Sequence, residues 1–68
     1  MSGQIVHGLH GEVMDVVVRN LTDGGAKVRL TAPHRMQITG RLVLKLPDGE
    51  RRGVVAWQSG QEVGVKFD

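Results

Sequence analysis

Outside its turns, this chain is written with a period of two, and that constrains it more than any other feature. Ala26-Lys27-Val28-Arg29-Leu30 is apolar on one side and cationic on the other. Arg41 to Leu46 repeats the pattern with Leu42, Leu44 and Leu46. Glu62 to Phe67 does so again, with Val63, Val65 and Phe67 on one side and Glu62, Gly64 and Lys66 on the other. Successive side chains of a strand point to opposite faces, so each run predicts a strand with one buried face. No run carries a helical period. Arg51 to Gln58 places Gly53, Val55 and Trp57 together on the expected core side. The run Val13 to Leu21 is longer and more apolar, with Met14, Val16 and Val18 inward. Gln4 to His10 is the weakest strand signal, holding Ile5, Val6 and Leu9.

Turn chemistry separates the runs. His10-Gly11 divides the first two, Pro47-Asp48-Gly49 is a strong hairpin signal, and Ser59-Gly60 is another. The longest irregular piece, TAPHRMQITG over 31–40, is broken by Pro33. Six short strands joined by tight turns predict an all-β fold, a small six-stranded antiparallel barrel. Closure removes the exposed edges that a small open sheet would offer for aggregation. No linker or repeat divides residues 1–68, so one domain is expected.

A chain of 68 residues has a thin core and correspondingly small stability. It has no cysteine, which rules out disulfides and cysteine zinc sites and fits a reducing compartment. The opening MSGQIVHGLHGE is not a secretory signal, and no apolar stretch approaches the length of a membrane span. A cytoplasmic location is expected, with no membrane partner. Nine Lys and Arg against seven Asp and Glu leave a formal charge of +2, interleaved along the chain. Such a balance gives weak attraction to anions rather than a duplex-binding surface.

A search for chemistry finds no enzyme. The acidic residues are scattered through turns and outward strand positions, and Ser2 and Ser59 lack the context of a nucleophile. His7 and His10 stand three apart, which on a strand points them to opposite faces, so no metal site is expected even with His34 as a third ligand. Asn20-Leu21-Thr22 matches a glycosylation sequon, without meaning in the absence of a secretory signal. The turn Gly24-Gly25-Ala26-Lys27 has the wrong spacing for a phosphate-binding loop and is followed by a strand. Single-strand nucleic-acid binders need aromatic platforms in a basic groove. Trp57 and Phe67 both fall on the expected core side, so nucleic-acid binding ranks behind other functions. A buried Trp57 would also make Trp57→Ala cost about 3–5 kcal/mol.

The stretch RNLTDGGAK carries the most specific signal when read with its surroundings. Asn20-x-Thr22-x-x-Gly25, between a valine-rich strand and one beginning Ala26-Lys27-Val28, resembles the (D/N)-x-(S/T)-x-x-G signature of the PilZ family. RLVLKLPDGERRGVVAW resembles that family's middle hairpin, Val55-Ala56-Trp57 its V-x-W strand, and Gly64-Val65-Lys66-Phe67 its closing G-V-x-F. The resemblance runs from about residue 12 to 67. It implies a six-stranded barrel and a non-enzymatic module of bacterial cyclic di-GMP signalling, with no resident cofactor and with cyclic di-GMP as ligand.

On that resemblance, Asn20 would bond a guanine edge and Thr22 would offer its hydroxyl. Gly25 would supply a positive-φ backbone or an approach that a Cβ would block. Arg19, Gly24 and Arg29 flank these positions and complete the candidate set. The family's other signature, R-x-x-x-R, should precede the first strand, and MSGQIVHGLHG does not supply it. The expectation is therefore a chain cut just inside the domain or a barrel that has lost its ligand, binding cyclic di-GMP weakly or not at all. The rival from another class is a nucleotide-independent barrel that binds a protein partner through its exposed strands or the 31–40 loop.

Overall fold

The computed structural model describes residues 1–8, 10–31, 38 and 40–68. Its strands are β1 (Ser2–His7), β2 (Glu12–Leu21), β3 (Gly25–Leu30), β4 (Arg41–Leu46), β5 (Gly49–Ser59) and β6 (Glu62–Phe67). All neighbours pair antiparallel in the closed order β1-β2-β3-β6-β5-β4. The six-stranded all-β barrel read from the alternation is the observed fold. β4 and β6 begin and end where the alternation puts them. β1 starts earlier than Gln4 and stops short of His10, where the Gly11 amide donates to the Gly8 carbonyl at 3.2 Å and Leu9 lies outside the described residues. Gly11 (φ 63°) and Gly60 (φ 58°) supply left-handed residues to two hairpin turns.

Inward alternation builds the core. Ile5, Val16, Val18, Val28, Leu30, Leu42, Leu44, Val63, Val65 and Phe67 are buried, and Ile38 joins them from the β3–β4 connection. Met14, Ala26, Leu46 and Val55 pack against this cluster. No polar or charged side chain among the described residues is buried. Most of the 31–40 loop, including His34, lies outside the described residues.

Two strands break the alternation, each by one residue. In β2 the pairing passes from Val18 opposite Val28 to Asn20 opposite Lys27, leaving Arg19 as an extra residue. In β5 it passes from Val55 opposite Val65 to Trp57 opposite Gly64, leaving Ala56 extra. A bulge of this kind re-aims every side chain beyond it. Asn20 therefore points outward although Val16 and Val18 point in, and Leu21 takes the inward parity opposite Ala26 yet stays 39% exposed outside the core cluster.

Trp57 is where this corrects the sequence reading. Strict alternation carries it inward with Gly53 and Val55, but the Ala56 bulge turns it out, where it is 45% exposed. The parity it gives up passes to Gln58, opposite Val63. The Gln58 side-chain carbonyl accepts the Ile38 amide at 2.8 Å.

Candidate functional site

The two bulges converge on one cross-strand row. Asn20 on β2 lies opposite Lys27 on β3, Lys27 opposite Gly64 on β6, and Gly64 opposite Trp57 on β5. All four belong to the outer face. The row on one side runs Val17, Arg29, Glu62, Ser59, and on the other Gly25, Lys66, Val54, Arg41. Lys27 Nζ stands 3.5 Å from Glu62 Oε2, both half-exposed. Such a pair holds its partners loosely and contributes little to stability.

Gly64 explains how Trp57 lies. A Cβ at position 64 would collide with the indole nitrogen and its neighbouring ring carbons. The ring thus rests on bare β6 backbone, and its far face looks to solvent beside the cationic row. Both edges of the row are defined: an amide side chain at Asn20 and an aromatic face at Trp57.

The turn after Asn20 is closed by its own side chain. The Thr22 amide donates to the Gly25 carbonyl at 2.9 Å, and the Thr22 hydroxyl donates to the same carbonyl at 3.2 Å. The hydroxyl also accepts the Gly25 amide at 3.2 Å. A hydroxyl has one donor and two acceptor sites, so one acceptor is left for a ligand. Gly25 does not have the positive φ considered from sequence, and it is the tight approach that demands glycine. The approaching group is the chain's own Val65 carbonyl oxygen on β6, which a Cβ would strike.

β5 and β6 tie the turn down. The Phe67 amide donates to the Gly24 carbonyl at 2.9 Å, and Arg51 Nη2 donates to the Asp23 carbonyl at 3.1 Å. The Arg51 guanidinium lies 4.5 Å from the centroid of the Phe67 ring, so one side chain joins the turn to the end of β6.

The sequence candidates fall into two groups. Asn20, Thr22, Gly24 and Gly25 form one turn and its entry, with Arg19 exposed in the bulge beside them. Arg29 stands one outward position beyond Lys27 and faces Val17 and Glu62 rather than the turn. Sequence reasoning left out Lys27, Gly64, Trp57 and Arg51. Lys27 was legible as the outward residue opposite the signature, whereas Trp57 depended on a bulge that alternation does not announce. Phe67 is buried, as its strand pattern requires.

Histidine chemistry stays local. His7 Nε2 meets Met14 Sδ at 3.1 Å and lies 3.8 Å from Glu12, while His10 is exposed in the turn. Among the described residues, no group of three or more His, Cys, Asp or Glu is placed to hold a metal ion. No helix is long and apolar enough to cross a membrane.

The chain is thus a closed barrel with an apolar core and a row of polar and aromatic side chains on its outer face. The family comparison fits that architecture. The PilZ domain model matches residues 1–68, the whole chain. The chain belongs to the PilZ family, cyclic di-GMP-related signalling modules that act as binding and adaptor domains rather than enzymes. The match extends the resemblance seen over 12–67 to both termini. No curated protein and no solved structure matches the chain.

Proposed function

We propose that this barrel is a cyclic di-GMP-responsive module of the bacterial cytoplasm and that the row Asn20, Lys27, Gly64, Trp57 is its ligand face. The observation that carries the reading is the pair of bulges, which bring an amide and an aromatic ring onto one outer row with Lys27 between them. Cyclic di-GMP offers two guanine faces, two guanine edges and two phosphates. The open face of Trp57 suits a stacked base, an interaction worth about 1–3 kcal/mol per base. The Asn20 amide suits a guanine edge, donating and accepting at once. Lys27, Lys66 and Arg19 provide charge for phosphate, and Thr22 and Gly25 hold the turn that presents Asn20.

Lysines meet phosphate as point charges, without the paired donors of a guanidinium. The sequence holds no R-x-x-x-R. Charge-assisted hydrogen bonds contribute about 1.5–3 kcal/mol each, so without that arginine pair affinity falls by several powers of ten. Calorimetry on the 68-residue chain should therefore show weak or undetectable binding. An R-x-x-x-R segment placed ahead of Gly3 should recover binding, and Asn20→Ala or Trp57→Ala in that chain should each remove part of the gain. A folded graft that stays silent overturns the reading.

Single-stranded nucleic acid is the second reading, favoured by the exposure of Trp57 on the outer face. It predicts oligonucleotide binding that weakens steeply with salt. With a net charge of +2, the expected result is no appreciable binding at physiological ionic strength.

A further inference from the structure

The other half of the barrel carries an outer row of a different kind. Val13 on β2 lies opposite Val6 on β1, Val6 opposite Val43 on β4, and Val43 opposite Arg52 on β5. Val13 is 57% exposed, and Val6 and Val43 are half-buried. The next outer row, Asp15, Gln4, Lys45, Glu50, is wholly polar. Outward valines on three adjacent strands do nothing for the core, which the inward residues already fill, and they reduce solubility.

Val6 and Val43 line a shallow groove of about 330 Å³ together with Gly8, Arg41 and Arg52. Arg41 shows what these guanidiniums take: it is paired with the Asp68 carboxylate, reached across β5. Arg52 lies between the two, its carbonyl accepting the Asp68 amide at 3.0 Å. Among the described residues, its guanidinium has no ion-pair partner.

We propose that this groove docks an extended peptide segment of a protein partner, in which an aliphatic side chain alternates with an acidic one. The closed barrel has no free edge, so a partner strand cannot be added to the sheet and must be recognised through side chains. An aliphatic residue covers Val6 and Val43, and a neighbouring carboxylate meets Arg52 and competes with Asp68 for Arg41. Val6, Val43 and Arg52 lie outside the Asn20 row and its two flanking rows, and only Arg41 ends one of those, so this inference does not rest on the nucleotide reading.

The test is a selection of random phage-displayed peptides on the folded chain, followed by calorimetry and amide chemical shifts with the enriched peptide. Enriched sequences should place Asp or Glu beside Val, Ile or Leu. Arg52→Glu, an exposed change that leaves the core intact, should weaken the selected peptide by about tenfold or more, a loss of one charge pair. Asp68→Asn, which releases Arg41, should strengthen it. Shifts should gather at Val6, Val43 and Arg52. The proposal is overturned by no enrichment over the starting library, by peptides indifferent to Arg52→Glu and Asp68→Asn, or by shifts gathered at Lys27 and Trp57 instead.

Discussion

The β1–β4 side of this barrel and the β3–β6 side are made from the same alternating sequence and end up unlike. β1 and β4 keep unbroken register with their neighbours, and Ile5, Leu42 and Leu44 are inward, while Val6 faces out and Leu9 lies outside the described residues. The strands flanking β3 and β6 each carry one extra residue, Arg19 in β2 and Ala56 in β5. Regular pairing yields a stripe of valines on the outside, while bulged pairing yields an amide, a cation and an indole. The lesson is that an extra residue re-aims the side chains beyond it and leaves those before it where they were. Val16, Val18 and Val55 still pack inward, and Asn20 and Trp57 are released from the core parity they would otherwise occupy.

This contrast can be broken by substitution. The largest effect belongs to the regular side, where Leu44 is fully buried. Leu44→Ala should cost about 2–5 kcal/mol through lost burial and the cavity left behind. Urea denaturation measures it, and a cost near zero would mean that β4 does not face the core. Gly25→Ala comes next, at about 1–3 kcal/mol, because its new Cβ meets the Val65 backbone oxygen, which cannot swing aside as a side chain can. A wild-type midpoint for this variant would show that β3 and β6 do not approach as closely as described.

Trp57→Ala sharpens the comparison most. An indole lying on Gly64 with its other face in water has about half the burial of a core side chain, so the cost should be about 2 kcal/mol, half that of a buried tryptophan. A loss of about 4–5 kcal/mol would return Trp57 to the core. Asn20→Ala should be smallest, within about 0.5 kcal/mol, because the side chain is exposed. Its thermal midpoint should hardly move even where the same change lowers cyclic di-GMP binding in the R-x-x-x-R chain. A large stability loss would make Asn20 a structural residue of the turn.

Much of the fold was legible because a two-residue period has only one way to bury a face. Leu42 and Leu44, Val63 and Val65, and Val28 and Leu30 needed nothing beyond their alternation. The turn was legible as a motif, since Asn20, Thr22 and Gly25 keep the family spacing, but the reasons for its residues were not. Thr22 bonds Gly25, and Gly25 makes room for β6, relations that depend on strands distant in sequence. Trp57 was illegible for a physical reason. A bulge at Ala56 leaves Val55-Ala56-Trp57 looking like unbroken alternation, and only the pairing of Trp57 with Gly64 reveals it. Gly64 was the available clue, a glycine on the outer parity of a strand with nothing in the sequence to explain it.

The central claim is that the bulges bring Asn20 and Trp57 onto one outer row, and Trp57 is the residue that tests it. A nuclear Overhauser spectrum of the folded chain reads its neighbours directly. The account predicts strong cross-peaks from the indole protons to the Gly64 α-protons, together with ready quenching of Trp57 fluorescence by acrylamide. Cross-peaks from the indole to the methyl groups of Ile5, Leu42 and Leu44, with fluorescence protected from quencher, would place the ring in the core and contradict it.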